Sequence, residues 1–99
     1  MTLDDILVTP EAEADIAEAL ADLQRISAAL VFRFGVELDR VYANIVDYPE
    51  MYPVVYKTFR RGLLRKFPYS VFYVSDGSLI VVVGVVHQAR DESTWKRRA

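Results

Sequence analysis

Apolar positions divide the chain into two halves with different periods. Ile6, Leu7 and Val8 form a short apolar run that predicts a strand. Thr9-Pro10 then marks a helix start, because threonine is a good N-cap and proline suits a first helical position that has no use for an N–H. Glu11, Glu13 and Asp15 follow where the helix dipole favours negative charge. Ile16, Leu20 and Leu23 lie at spacings of 4 and 3, one apolar face. A second and stronger helical stripe runs Phe34, Leu38, Val41, Ile45 and Tyr48, at spacings of 4, 3, 4 and 3. The two helices are expected to meet in a tight turn near Ser27, and Pro49 and Pro53 end the helical region.

Beyond Pro53 the pattern is that of strands. Phe59 to Phe67 reads as a strand whose faces the imperfect alternation leaves open, with Pro68 bending the chain after it. Tyr69 to Val74 is aromatic and β-branched, and Asp76-Gly77 signals a hairpin of the type I′ kind. Leu79 to Val86, nearly all Leu, Ile and Val, reads as a central strand covered on both faces. Asp91-Glu92-Ser93 opens a short helical turn carrying Trp95. The expected architecture is α+β: an N-terminal strand, then an antiparallel helical hairpin packed on a small antiparallel sheet, in one domain spanning residues 1–99.

Composition narrows the chemistry. With no cysteine and a single histidine, disulfides, thiolate metal sites, a cysteine nucleophile and multi-histidine metal centres are excluded, and no cofactor is expected. Signal-peptide and membrane-length apolar segments are missing, since the longest apolar run is Leu79 to Val86, interrupted only by Gly84. A cytoplasmic protein without a membrane partner is therefore expected. The net charge of −2 conceals an asymmetry: residues 1–50 hold 11 acidic and 3 basic side chains, residues 51–99 hold 3 acidic and 9 basic. Such a division suggests one acidic and one basic face, the second able to meet phosphates or an acidic partner.

Candidate site residues cluster in the basic half. Lys57, Arg60, Arg61, Arg65 and Lys66 fall within ten residues, interleaved with Phe59, Phe67 and Tyr69. Arginine forks match carboxylate and phosphate oxygens, and aromatic rings offer stacking faces, so RNA and an acidic protein tail both fit. Edge-strand charges that prevent sheet-to-sheet association would give the same pattern. His87 and Arg90 follow the apolar strand. His87 is a candidate general acid or base, or a structural ring that bonds a backbone carbonyl or stacks on Trp95. Trp95 reads chiefly as a clamp on the sheet and secondarily as an interface residue. Tyr48, Tyr52 and Tyr56 read chiefly as cover for one end of the helical hairpin and secondarily as the lining of a partner groove. Phosphate-binding glycine loops, nucleophile elbows and catalytically spaced carboxylates do not occur.

The order TPEAEADI, RFGVELDRV, YPEMYP, RRGLLRKFPYSVFY and VVHQARDESTWKRR resembles the RelE/ParE toxin superfamily of type II toxin–antitoxin modules, from Thr9 to Arg98. Its most specific part is the series Arg61, Phe67-Pro68-Tyr69, Tyr73, His87 and Arg90. The FPY stretch, and the H-x-x-R followed by tryptophan, look most like the ParE-like branch. The resemblance implies a plasmid-stabilisation toxin, neutralised by a cognate antitoxin that wraps it. It implies one of two activities. ParE-like members inhibit a macromolecular target such as DNA gyrase without chemistry. RelE-like members are metal-independent endoribonucleases that cut mRNA in the ribosome. In the second case Arg65, His87 and Arg90 would be catalytic, with the arginines stabilising the phosphorane and His87 moving a proton. Gln88 stands where some nucleases carry a terminal tyrosine, and the chain is acidic, which favours the non-enzymatic branch. Arg60, Arg61, Arg65, Lys66, Tyr69, Arg90 and Trp95 are the expected target- or antitoxin-binding residues. A relic that retains only antitoxin binding is the third possibility.

Overall fold

The structure, a computed structural model, describes residues 6–99. Strand β1 (Ile6–Val8) leads into helix α1 (Pro10–Gln24), a tight turn, and helix α2 (Ala28–Asp47). Strands β2 (Val54–Tyr56), β3 (Phe59–Leu63), β4 (Tyr69–Asp76) and β5 (Leu79–His87) follow, and a single turn of helix α3 (Ser93–Lys96) closes the chain. Both long helices begin as their capping residues dictate: Thr9 Oγ1 accepts the Ala12 N–H at 3.1 Å, with Pro10 at the first helical position, and Ser27 Oγ accepts the Ala29 N–H at 3.1 Å.

The five strands form one sheet in the order β1-β5-β4-β3-β2. From β2 to β5 the neighbours are antiparallel, but β1 lies parallel to β5, so the expected all-antiparallel sheet has a parallel edge. Three further details differ from the sequence expectation. β3 ends at Leu63 rather than Phe67, because Leu64 to Phe67 turn the chain, with Lys66 at φ 67°. A short strand, β2, pairs with β3 directly after Pro53. In the hairpin after β4, Asp76 pairs with Leu79, so the loop is Gly77-Ser78. Only Gly77 has positive φ there, at 62°, which fits a II′ turn with glycine first rather than I′.

Helices cover one face of the sheet. The stripe Phe34, Leu38, Val41 and Ile45 is buried against Val71, Tyr73, Val82 and Val85. Each of these large apolar side chains contributes roughly 1.5–3 kcal/mol by leaving water. Tyr48 does not continue the stripe: it is the C-cap of α2 and 68% exposed, so it covers nothing, while Tyr52 does pack on this core. α1 buries Ala12 and Ala19 fully, small residues that let the helix approach the sheet, with Ile16, Leu20 and Leu23 half-buried beside them. On the opposite face Trp95 is only 6% exposed and stacks on Phe72 at 4.1 Å between ring centroids, above Phe59 and Val86. Tyr56 meets its edge. Trp95 is thus a clamp, and its burial removes it from the set of candidate interface residues.

A polar bolt joins the two ends of the chain. β1 leaves the sheet at Thr9, whose N–H bonds Val82 O, and β5 bulges at Val83. Beyond that point Asp15 of α1 and Arg98 of the C-terminal tail occupy the open edge. Asp15 Oδ2 accepts the Val85 N–H at 3.0 Å, Arg98 donates to Val83 O at 3.0 Å, and the two side chains pair at 2.6 and 3.1 Å. Both are mostly shielded from water, and the bond to Asp15 raises the Arg98 pKa above its ordinary value. The Tyr42 hydroxyl of α2 is buried without a hydrogen-bond partner among the described residues. Its pKa is pushed up to about 12 by burial and, secondarily, by Asp39 and Glu13.

Two stability predictions follow from these polar contacts. Asp15→Ala strands the Arg98 guanidinium and the Val85 N–H, and is expected to cost about 2–4 kcal/mol in urea unfolding. Tyr42→Phe removes an unsatisfied buried hydroxyl and is expected to be neutral or to stabilise by up to about 1 kcal/mol. The raised Tyr42 value also means that the unfolded chain loses its proton first. Stability should therefore decline as pH rises from about 10 to about 12, a loss the phenylalanine variant reduces.

Candidate functional site

The connection between β3 and β4 gathers Arg65 and Lys66 beside Arg33 and Arg61. β3 stops where Leu64 turns inward and donates its N–H to Tyr69 O at 3.1 Å, and the Tyr69 N–H returns to Phe67 O at 2.8 Å. This tight connection points Arg65 and Lys66 into solvent. Glu37 of α2 fixes it, accepting the Arg65 backbone N–H at 2.6 Å. The same carboxylate takes two bonds from Arg40, at 3.1 and 3.2 Å, and Arg40 above all holds the Glu37 carboxyl below the usual range. Asn44, a turn further along, donates to the Tyr52 hydroxyl at 3.2 Å. Tyr52 lies flush on β3 only because residue 62 is glycine: a Cβ there would stand 3.1 Å from both the Tyr52 ring and Val41.

Two clefts flank this arrangement and share Arg65. One, of about 570 Å³, lies between the start of α2 and the connection, with Phe32, Arg33, Val36, Lys66 and Phe67 among its walls. The other, of about 330 Å³, is bounded by Arg40, Asn44, Met51, Tyr52, Arg61 and Leu63. The structure therefore brings together Arg61, Arg65 and Lys66 from the sequence candidates, and adds Arg33 and Arg40. These additions had a readable signal. Arg33, Glu37, Arg40 and Asn44 repeat the buried stripe Phe34, Leu38, Val41 and Ile45 one residue earlier, and so form the helical row beside it.

The other candidates are placed elsewhere. Arg60 is half-buried and spends its guanidinium on the carbonyls of Tyr52, at 2.7 Å, and Glu50, at 3.3 Å. It holds the loop that Tyr73 also fixes, through its hydroxyl on Pro49 O at 2.7 Å. Lys57 lies over the Tyr56 ring in the β2–β3 turn. Tyr69, His87 and Arg90 line a third, narrower cavity of about 130 Å³ against α1. Arg90 pairs there with Glu18 at 3.5 Å, and Asp15 and Asp22 lie in the same wall. His87 Nδ1 accepts the Ala89 N–H at 3.0 Å, and the ring meets Tyr69 edge-on at 5.0 Å. Its ring partner is Tyr69, not Trp95, and its polar partner is an N–H, not a carbonyl. Burial raises the Tyr69 pKa, with Asp22 and Glu18 adding to the effect. Phe67 and Tyr69 both pack edge-on against Phe34, an aromatic ridge between Arg65 and His87.

Among the described residues no group of three His, Cys, Asp or Glu side chains is placed to hold a metal ion, and no helix is long and apolar enough to cross a membrane. Residues 6–92 match the family described as the ParE toxin of type II toxin-antitoxin system, parDE, and the chain belongs to that family. No curated protein matches it. Among solved structures it is similar to a chain of the chromosomal ParDE TA system from P. aeruginosa, with a TM-score of 0.67. That match has 15% identity over 84% of this chain and 94% of the other, a likeness of fold alone. The α+β architecture is the one the sequence resemblance implied.

Glu37 supports the groove wall, and its carboxyl is held low by Arg40. A carboxyl depressed in the folded state stabilises at neutral pH, and that contribution fades as pH falls through its lowered value. Glu37→Ala is expected to cost about 1–3 kcal/mol at pH 7 and to speed hydrogen exchange at the Arg65 amide. The difference from the parent should shrink below about pH 4.

Proposed function

We propose that this chain is a toxin that acts by binding, inhibiting DNA gyrase, and that a cognate antitoxin neutralises it. One observation carries the preference for binding over catalysis. The residues a nuclease reading would assemble are divided: Arg65 lines one cavity and His87 and Arg90 another, across the Phe34–Phe67–Tyr69 ridge. A phosphorane needs its stabilising cations and its proton carrier within hydrogen-bond reach of one reacting centre. Around His87 the neighbouring charges are the carboxylates of Glu18 and Asp22, which repel a phosphodiester, and Arg90 is already paired. Family membership supports the antitoxin and the toxin role, and the cytoplasm is where both would act.

Expression without the neighbouring gene should arrest growth, and co-expression of that gene should relieve the arrest. Purified protein should inhibit gyrase supercoiling, and His87→Ala should retain at least about half of that inhibition and of the arrest, since its polar and ring partners among the described residues are the Ala89 N–H and Tyr69. Primer extension showing messages cut at the ribosomal A site, abolished by His87→Ala, would replace this reading with an endoribonuclease. Folded protein that leaves gyrase untouched at large molar excess would remove the target.

A further inference from the structure

The run Tyr48-Pro49-Glu50-Met51-Tyr52-Pro53 stands out in the sequence, and the core does not account for all of it. Tyr52 packs on the core, but Tyr48 is 68% exposed and Met51 51%. The backbone that presents them is pinned. Tyr73 donates its hydroxyl to Pro49 O at 2.7 Å, and Arg60 donates to Tyr52 O at 2.7 Å and Glu50 O at 3.3 Å. The Met51 N–H closes a turn on Tyr48 O at 3.0 Å. With two prolines in the same run, little chain freedom remains to be lost when a partner binds. Residues 47–51 form a cleft of about 860 Å³ with Ser75 and Gly77 of the β4–β5 hairpin, larger than the three described above.

This cleft is negative. Asp47 and Glu50 line it, both exposed, and neither forms an ion pair among the described residues. Arg60 reaches the loop from the sheet, but its guanidinium is taken up by the two carbonyls. Helix α2 ends at Tyr48, so the negative pole of its dipole lies here, and its last turn holds no basic residue. Asp47 thus opposes the dipole at a position where a lysine would stabilise the helix. Departures of this kind from local preference concentrate at functional sites.

We infer that this cleft is the toxin's target-facing surface, and that it takes a Lys- or Arg-bearing segment of the target protein. The cation would lie on Asp47 and Glu50, and its alkyl stem on Tyr48 and Met51. The inference rests on the proposed gyrase inhibition and gives it a face. Tyrosine and methionine are enriched at protein interfaces, and an aromatic ring beside carboxylates suits a cation on an apolar stem. The DNA that gyrase holds is a poor occupant, because the same carboxylates repel phosphates. Asp47, Tyr48 and Glu50 line neither of the clefts that share Arg65, so changes to them should spare antitoxin binding.

The test measures the full chain's inhibition of gyrase supercoiling, its affinity for gyrase without DNA, and its affinity for the product of the neighbouring gene. Asp47→Lys and Tyr48→Ala alter exposed side chains, and both should fold. Asp47→Lys should unfold at no lower urea concentration than the parent, since lysine suits the end of the helix. Each is expected to raise the half-inhibiting concentration, and to weaken gyrase binding, by about tenfold or more. Affinity for the neighbouring gene's product should stay within about twofold of the parent's. Asp39→Lys makes the same charge change on the exposed side of α2 and is expected to alter inhibition less than about twofold. Parent-level inhibition by both cleft variants overturns the inference and leaves gyrase inhibition standing. A parent that does not inhibit gyrase overturns both. Unchanged inhibition with lost affinity for the neighbouring gene's product would give the cleft to the antitoxin. Gyrase binding that appears only with DNA, and that Asp47→Lys leaves unchanged, would give the contact to nucleic acid.

Discussion

Phe34 is the contact on which the proposed binding surface depends. Its ring, fully buried at the inner side of α2, meets the edges of Phe67 and Tyr69 at 5.4 and 5.2 Å. These three rings set how close α2 comes to the β3–β4 connection. Edge-to-face pairs add about 0.5–1.5 kcal/mol each to the burial of the rings, enough to give the helix one seat rather than several. Everything outside that seat is positioned by it. Arg65 and Lys66 lie on one side of the ridge, His87 and Arg90 on the other, and Glu37 reaches the connection from the next turn of the same helix.

The charge distribution of the sequence was real but overstated the free positive surface. Arg60 is used on two carbonyls, Arg90 on Glu18 and Arg98 on Asp15 and Val83 O, so a third of the basic side chains beyond residue 50 bind the fold together. Of the other six, Lys57, Lys96 and Arg97 lie elsewhere, and Arg61, Arg65 and Lys66 form one cluster at the end of β3 and in the β3–β4 connection. Arg33, from the acidic half, joins it because a helix row and a strand end converge there. Charge asymmetry along a chain therefore does not say which of its basic side chains the fold itself consumes.

The elements that sequence disclosed best were those with strong periodicity or explicit punctuation. The α2 stripe, the Thr9-Pro10 start and the Ser27 turn are local signals, and the structure keeps them. Alanines at 12 and 19 carried no hydrophobic signal, although they set how closely α1 approaches the sheet. β2 was missed because three residues after a proline are too short to show alternation. The parallel pairing of β1 with β5 joins residues more than 70 positions apart, and no local pattern encodes it. The same holds for the candidate site. His87 was considered without a carboxylate neighbour in sequence, yet the fold sets it in the cavity lined by Glu18 and Asp22 of α1. Trp95, carried on the short turn that Asp91-Glu92-Ser93 opens, packs against Phe72 and Tyr56 as the clamp its position suggests.

The central claim is that the toxin acts by binding, and that α2 and the β3–β4 connection, which Phe34 packs together, form a surface that the proposed antitoxin covers. Hydrogen exchange of the chain alone and with the neighbouring gene's product tests it most directly. Slowed exchange should concentrate at Leu30 to Glu37 and at Leu63 to Phe67, the two walls that meet at Arg65. Protection confined to the outer face of α1, or to α3 and the sheet face beneath it, would contradict the account.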